Sequence, residues 1–292
     1  MNGLLRRTSK AAFRFRLRCA ATIALLLSLG CHMFSLAPSS TDAKGEKDPA
    51  LVLPGKHSSR VSQYVFLYDF ELKKDVPLFE ELGDLRDQVY KELQLPNSGN
   101  TVVQVYLFED KERYERFMRA KYPDLPKRRA FFVAQPRAVG GAEDLLVYTY
   151  WGDRIRQDLR HELTHALLHS VLKDVPLWLD EGLAEYYELP PEKHGTNQNH
   201  LEQIRRAADD FKPDLERLEN LKEVQQMTPS EYRESWAWVH LMLHGQPEGK
   251  AALLTYLQQL RTNPKPGPLE PKLAEIFPEP NAALEKHLEG LQ

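Results

Sequence analysis

Residues 160–165 have the sequence Arg-His-Glu-Leu-Thr-His and contain the pentad H-E-x-x-H, which runs from His161 to His165. Residues four apart lie on one face of an α-helix, so these two histidines can present their imidazoles to a single metal ion. Glu162 follows at about 100° around the same helix, where it can reach a water on that ion without binding the ion. Amide hydrolysis needs a carboxylate in this position. The stretch therefore predicts a helix, a metal site and a hydrolytic reaction together.

A second motif, WLDEGLAE, occupies residues 178–185. A catalytic zinc needs three protein ligands and an open position, and Glu181 supplies the third ligand. We expect the first helix to end near Leu172 and a second to begin near Pro176, because proline suits a first helical turn. Two antiparallel helices joined in this way bring Glu181 beside the histidines. Gly182 would cost about 1 kcal/mol in an exposed helix, so we expect it to mark a close approach of the two helices.

Glu185 lies one turn beyond Glu181, on the same predicted face of the second helix. Histidines that bind zinc usually donate their second N–H to a carboxylate, which fixes the plane and tautomer of the ring. We therefore predict that Glu185 is oriented toward His161 and supports it from outside the ligand set. The alternative is that Glu181, Glu185 and Glu188 form the solvated stripe of a surface helix. The apolar residues of the same helix favour burial instead.

H-E-L-T-H followed by W-L-D-E-G-L-A-E-Y-Y resembles the gluzincin zinc metallopeptidases of the peptidase MA superfamily. The nearest likeness is to the peptidase-MA-like domains of bacterial secreted proteins, and a more distant one is to the aminopeptidase N type. The resemblance implies His161, His165 and Glu181 as Zn²⁺ ligands and Glu162 as the general base. The gap to the third ligand is shorter than in the aminopeptidases, so the connecting loop must differ. Asp180 stands where they usually have asparagine, and we expect it to be exposed.

Tyr232 is similar to a tyrosine that aminopeptidases of this type place at the start of a helix to stabilise an oxyanion. The residues before it predict a capping box, with Thr228 as N-cap and Glu231 three residues later. The phenol then lies near the positive end of the helix dipole and can donate to a developing oxyanion. The alternative is a half-buried aromatic residue. His240 and His244, four apart on the same helix, are rival electrophiles, although we expect both to be surface histidines.

The 292-residue chain carries 39 basic and 42 acidic residues, so its charge does not point to nucleic acid as a partner. Residues 1–18 contain basic side chains and no acidic one, and residues 19–30 are apolar or small. This is the pattern of a secretory leader, and the apolar part is short for a membrane span of about 20 residues. We predict a signal peptide or lipoprotein leader over residues 1–37. The protein is then exported, and is periplasmic or membrane-anchored in a bacterium.

Both cysteines, Cys19 and Cys31, lie in or beside the leader. Residues 27–31, LSLGC, resemble a bacterial lipobox, in which Cys31 becomes lipidated after cleavage. Ordinary cleavage after Ala37 and retention of the leader as an anchor are the alternatives. Beyond residue 31 there is no cysteine, so neither a disulfide nor a thiolate zinc site can form there. Residues 38–60 are polar and rich in Ser, Lys, Gly and Pro, which predicts a flexible linker.

The remaining residues, 61–292, are sufficient for a hydrophobic core of their own. Residues 61–152 alternate β-prone and helical patterns, whereas residues 153–292 are helical throughout. We therefore predict an α+β fold, with a β-containing N-terminal lobe, an all-helical C-terminal lobe and the H-E-x-x-H helix at the join. In the first lobe we expect an amphipathic helix over residues 76–95, with an inner stripe of Leu78, Leu82, Leu85 and Val89, and a second helix over residues 110–121. We expect strands over Val61–Phe70, Thr101–Phe108, Arg129–Ala134 and Leu145–Tyr150.

Two functions are compatible with these patterns. The first is a secreted or lipid-anchored zinc metallopeptidase, in which Zn²⁺ polarises the scissile carbonyl of a peptide or protein substrate and Glu162 serves as general base. The second is a peptidase-like domain of the cell envelope that binds peptides without cleaving them. Tyr232 distinguishes the two, because a tyrosine that points into the zinc cleft favours catalysis. We expect the substrate to lie in a cleft between the two lobes.

Overall fold

The structure is a computed structural model, and its description begins at Pro49. The leader that we predict over residues 1–37 lies outside the described residues. Among the residues that are described, no helix combines the length and the apolar character that crossing a bilayer requires. The described residues are Gly99 and those in the ranges 49–72, 77–97, 101–137, 143–172, 174–207 and 210–291.

In the described part of the chain, the N-terminal lobe contains β1 (His57–Val61), β2 (Tyr64–Tyr68), α1 (Pro77–Glu92), β3 (Val103–Phe108), α2 (Lys111–Lys121), β4 (Ala130–Pro136) and β5 (Glu143–Tyr150). The five strands form one mixed sheet with the order β1-β2-β3-β5-β4. The three inner strands run parallel, whereas β1 and β4 pair antiparallel at the two edges. The predicted strands over 101–108, 129–134 and 145–150 correspond to β3, β4 and β5.

The sheet is covered on both faces by helices. Val103, Val105 and Leu107 of β3 belong to one large apolar cluster that also includes α1. Tyr114 and Phe117 of α2 belong to a second cluster on the other face. Alternate residues of a strand point to opposite faces, which explains how a single strand serves both clusters. The predicted inner stripe of α1 is confirmed, because all four of its members are buried: Leu78, Leu82, Leu85 and Val89.

Residues 57–68 form a hairpin, and the single strand that we predict over residues 61–70 is wrong. The two strands pair in antiparallel register, and Ser62 turns the chain with a φ of 53° in the left-handed region. β1 is polar and mostly exposed at the sheet edge, so it lacks the apolar alternation by which a strand is recognised. β1 therefore includes residues 57–60 of the stretch 38–60 that we predict as a linker.

The C-terminal lobe is helical in the described residues, which confirms the α+β class. Its first helix, α3, lies at the join as predicted, since it contacts α1 and two strands of the sheet as well as the helix that follows it. The helices are α3 (Ile155–His169), α4 (Leu177–Tyr187), α5 (Gln198–Ala207), α6 (Leu215–Glu219), α7 (Pro229–His244), α8 (Pro247–Leu260), α9 (Glu270–Ile276) and α10 (Pro280–Glu289).

Gly182 allows α4 to pack directly against α7. A Cβ atom at this position would lie 2.6 Å from the carbonyl oxygen of Ser235 and 2.9 Å from a methyl group of Val239, both on α7. Trp178 of α4 and Trp236 of α7 are buried in the same core. Gly182 thus marks a close approach of two helices, but the partner is α7, whereas we expect α3 from the sequence.

Replacement of Gly182 by alanine should lower the free energy of unfolding by about 1–3 kcal/mol, the usual cost of overpacking a core. The added methyl group has no room unless α4 and α7 separate. In a helix without this contact the same change would stabilise by about 1 kcal/mol, so the sign of the effect is the test. Urea unfolding followed by tryptophan fluorescence measures it.

The matched control is Gly55→Ala, because a Cβ atom at Gly55 would meet nothing within 4 Å. We expect its urea midpoint to stay near that of the unsubstituted protein. An unchanged or higher midpoint for Gly182→Ala would contradict the close approach of α4 and α7.

Candidate metal centre

The three predicted metal ligands converge between α3 and α4. Nε2 of His161 and Nε2 of His165 lie 3.4 and 3.5 Å from Oε2 of Glu181, and one ligand atom from each residue fits within 4.8 Å of the others. Oε2 of Glu181 is buried and has no hydrogen-bond partner among the described residues. A buried carboxylate oxygen facing two imidazole nitrogens needs a partner, and a cation would supply one. The donor set of two imidazoles and one carboxylate fits Zn²⁺.

Arg160 fastens the end of α4 to α3, one residue before the first histidine. Its side chain is fully buried. Nε donates to the carbonyl oxygen of Tyr187 at 3.0 Å, and Nη2 donates to that of Leu189 at 2.7 Å. Carbonyl groups at a helix C-terminus have no partner within the helix, so a buried side chain must satisfy them. This clamp fixes the spacing between the histidines on α3 and Glu181 on α4.

Each histidine of the ligand set has a carboxylate beside its outer nitrogen. Nδ1 of His161 lies 3.2 Å from Oε2 of Glu188, and Nδ1 of His165 lies 3.0 Å from Oδ2 of Asp180. The same Asp180 oxygen lies 3.0 Å from Nε2 of His169. Carboxylates in this position favour the tautomer that carries its proton on Nδ1, which leaves Nε2 for a metal.

The acids of α4 are placed in part differently from the predictions. The carboxylate of Glu185 lies within 4.8 Å of a ring nitrogen of His161, but its hydrogen-bond partner is His200, at 2.9 Å between Oε2 and Nε2. The acid that contacts Nδ1 of His161 is Glu188. Asp180 is only 8 % exposed, although we expect it to be on the surface. Its carboxylate is enclosed because it lies between two imidazoles. The burial of Glu188 also excludes a solvated acidic stripe on α4.

Helix geometry contains the information that distinguishes Glu188 from Glu185. Four residues overshoot one helical turn by about 40°, whereas seven residues fall only about 20° short of two turns. Glu188 therefore lies closer in angle to Glu181 than Glu185 does. The burial of Asp180 is also indicated by the sequence. His169, four residues after the H-E-x-x-H pentad, places a third imidazole on the same face of α3, and a carboxylate between neighbouring imidazoles compensates their charge.

The buried charges of the centre shift one another's pKa values. Burial opposes a charged imidazole, but contacts with Asp180 and Glu181 raise the pKa of His165 to about 10. Contacts with Glu181 and Glu188 hold the pKa of His161 well above its usual value against the same burial. The two histidines in turn hold the pKa of the Glu181 carboxyl well below its usual range, although burial opposes this. The centre thus stabilises positive charge, as a divalent cation would require.

Glu162 lies with His165 and Glu181 on the wall of a cavity of about 680 Å³. The cavity reaches both lobes, because residues 131–134 of β4 and residues 174–177 at the start of α4 also line it. Burial raises the pKa of the Glu162 carboxyl above its usual value, although the charges of His161 and His165 oppose the rise. A raised pKa brings a carboxylate closer to the range in which a general base works well.

Tyr232 reaches the metal ligands from α7. The predicted capping box of Thr228 and Glu231 is confirmed and sets Tyr232 in the first turn of the helix. Its hydroxyl group donates to Oε1 of Glu181 at 3.3 Å, and the phenol oxygen accepts a hydrogen bond from Nη2 of Arg128. The structure thus brings Tyr232 to the centre, whereas its role as an oxyanion donor stays a prediction.

Arg128 is a residue of this centre that the sequence did not indicate. It lies in the segment between α2 and β4, and its Nη1 is 3.7 Å from Oε1 of Glu181. The neighbouring Arg129 has a structural part, since its Nε lies 2.9 Å from Oδ2 of Asp158 on α3. This ion pair holds the segment against the helix that carries the histidines. Two adjacent arginines between predicted elements carry no periodic pattern from which such a position could be inferred.

His240 and His244 are not brought to the centre. His240 is 2 % exposed, with its Nδ1 at 2.8 Å from Nε2 of His287. His244 is exposed, and its Nε2 lies 2.6 Å from the hydroxyl group of Tyr186. The expectation of a surface histidine is confirmed for His244 and wrong for His240. Burial, together with the nearby imidazoles, lowers the pKa of His240 to about 3.

Comparisons with known proteins give a match to a family model over part of the chain and a distant similarity to solved structures. Residues 157–266 match a family described as a protein of unknown function, DUF1570. No curated protein matches the chain. Among solved structures, the chain is similar to the M1 zinc metallopeptidase from Deinococcus radiodurans, with a TM-score of 0.42 and 18 % identity over 81 % of this chain and 50 % of that one. A point mutant of that enzyme gives a TM-score of 0.43 and 15 % identity, over 82 % and 52 % of the two chains. The chain therefore spans about half the length of the solved proteins that it matches.

The purified protein should bind one zinc ion per chain, and His165→Ala should lose most of it, because a set of three ligands becomes a set of two. Elemental analysis after dialysis measures the zinc content. His57→Ala is the matched control, since His57 is an exposed histidine on β1. Equal zinc in His165→Ala and in the unsubstituted protein would remove this centre from consideration.

Glu188→Ala should weaken zinc binding by about 10–100-fold, the usual effect of losing a carboxylate that supports a metal-bound histidine. Glu185→Ala, three residues earlier on the same helix, should change zinc affinity much less, because its carboxylate contacts His200. Competition with a chromophoric chelator measures both affinities. A larger loss for Glu185→Ala than for Glu188→Ala would reverse the assignment.

Proposed function

We propose that this chain is a zinc-dependent metallopeptidase that hydrolyses peptide bonds in peptide or protein substrates. The observation that carries the proposal is the convergence of His161, His165 and Glu181 on one point. Glu162 lies on the wall of the cavity that His165 and Glu181 also line. Three ligands leave a fourth position open for substrate or water. A purely structural zinc site would instead be closed by four protein ligands and would need no buried acid beside it.

A zinc ion held by these residues would polarise the scissile carbonyl group and acidify the attacking water. Glu162 takes a proton from that water and later gives it to the leaving amine. Tyr232 donates its O–H to the oxygen on which negative charge develops. The cavity supplies space for the substrate between β4 and the start of α4. β4 is an edge strand of the sheet, so its outer side is not paired with another strand of the described residues.

We further propose that the protein is exported and is either secreted or attached to a membrane through lipid on Cys31. The support comes from the basic and apolar stretches of residues 1–30 and from the lipobox-like sequence before Cys31. The absence of cysteine beyond residue 31 suits an oxidising compartment, where a free thiol would be a liability. Substrates would then be peptides or proteins of the cell envelope or its surroundings.

Glu162→Gln should keep zinc but abolish hydrolysis, because glutamine has nearly the same shape and cannot accept a proton. Cleavage of a degenerate peptide library, read by mass spectrometry, measures hydrolysis, and elemental analysis measures zinc. The control is Glu216→Gln, an exposed acid on the same cavity, which should retain activity. Full turnover by Glu162→Gln would point to another base. No cleavage by the unsubstituted, zinc-loaded protein would favour a domain that binds peptides without cutting them.

Tyr232→Phe should lower kcat by about 10²–10³-fold, because one donor to the oxyanion is lost. KM should change little, since the hydroxyl group acts on the transition state more than on the bound substrate. Tyr256→Phe, which removes a hydroxyl group from another tyrosine of the cavity wall, is the matched control. Equal kcat values for Tyr232→Phe and the unsubstituted enzyme would limit Tyr232 to positioning Glu181.

A further inference from the structure

Arg128 places a guanidinium group both beside the proposed metal site and on the wall of the cavity. Its Nη1 lies 3.7 Å from Oε1 of Glu181, the oxygen that does not face the imidazoles, and its Nη2 donates to the hydroxyl group of Tyr232. The guanidinium lies over the ring of Phe131, 5.8 Å from its centroid. An aromatic face attracts such a cation, which favours this position of the guanidinium.

Arg128 is also unusual among the charged residues that line the cavity. The acids Glu162, Asp180 and Glu181 are buried there. Of the lysines and arginines on the same wall, in the described residues, Lys222 and Lys265 are exposed, whereas the side chain of Arg128 is 29 % exposed. Among the described arginines and lysines of this wall, Arg128 is therefore the one whose positive charge is largely shielded from solvent. A negative group of a substrate would find there a cation that lies close to the metal ligands.

Glu181, the carboxylate beside Arg128, is also a ligand of the proposed metal. Glu181 offers Oε1 to Arg128 and Oε2 to the point between the histidines. A cation at that point would neutralise the carboxylate, and a mostly buried guanidinium would then need another anion. The bond to Tyr232 uses one of the five N–H donors of the arginine. A planar guanidinium with donors to spare binds a carboxylate through two parallel hydrogen bonds.

We propose that Arg128 binds a carboxylate group of the substrate beside the bond that is cleaved. The inference rests on the proposed peptidase function and names its substrate class: peptides with a negative group close to the scissile bond. The carboxylate has two possible sources, the C-terminus of a short peptide and the side chain of Asp or Glu. Arg128 would then set specificity, while Glu162 and the metal ligands carry the chemistry.

The first test uses the full chain with zinc and the substitution Glu162→Gln, so that peptides bind without being cut. Two degenerate pentapeptide libraries without Asp and Glu are compared, one with free C-termini and one with C-terminal amides. A third library is amidated and contains Glu. Retained peptides are quantified by mass spectrometry. We expect the free-acid library or the Glu-containing library to be retained about 10- to 100-fold better than the plain amidated one, as a charge-assisted pair implies. Which of the two is retained identifies the source of the carboxylate.

Adding Arg128→Gln to that protein should abolish the preference, whereas Lys127→Gln, which removes an exposed positive charge one residue earlier, should preserve it. Arg128→Lys keeps the charge beside Glu181 but removes the planar guanidinium. It replaces Arg128→Gln in this test if Arg128→Gln loses zinc or fails to fold. Equal retention of the three libraries, retention of none of them, or a preference that survives both Arg128 substitutions would overturn the proposal.

A kinetic test separates this role from a role in the transition state. In the active enzyme, Arg128→Gln should raise KM more for peptides that carry the carboxylate than for peptides without it. An equal fall in kcat for both classes would assign Arg128 to the developing oxyanion and overturn carboxylate binding. Failure of the proposed function has a different signature, which is the absence of stoichiometric zinc or of any cleavage by the unsubstituted protein.

Discussion

The structure of the centre depends on the burial of several charges between one pair of helices. Moving an ionised group out of water is costly unless another charge compensates it. In this centre each of the two ligand imidazoles lies between two carboxylates, one on the inner side and one on the outer side. His161 lies between Glu181 and Glu188, and His165 lies between Glu181 and Asp180. The arrangement is compatible with a stable fold only if α3 and α4 keep one fixed separation.

That separation is set by packing on both sides of α4. Toward α3, the buried Arg160 binds the carbonyl groups at the end of α4. Toward α7, Gly182 removes the side chain that would keep the helices apart. The same contact brings Tyr232 at the start of α7 close to Glu181. A glycine and an arginine that are not themselves metal ligands thus determine where the metal ligands and the phenol lie, as closely packed interiors transmit small shifts.

The sequence predicts the parts of this site that follow from local periodicity. The pentad, the capping box at Thr228 and the inner stripe of α1 are all patterns within one helix, where spacing determines the face. The partners of the histidines on α4 depend on the rotation of that helix, because Glu185 and Glu188 lie about 60° apart around its axis. Arg128 depends on tertiary structure alone, because it meets Tyr232 from 104 residues away along the chain. The hairpin of β1 and β2 does not follow from the sequence for a related reason. The sequence of β1 is polar, and the strand is stabilised by its pairing with β2.

The position of α3 at the join has a consequence for how the chain is divided. The family match begins at residue 157, inside this helix. Yet Leu159 and Leu163 of α3 are fully buried in the cluster that contains Val103 and Val147 of the sheet. The boundaries of the family match and of the unit that packs around one core therefore differ in this chain. A fragment cut at the family boundary would keep the three metal ligands and lose the apolar surface that holds their helix in place.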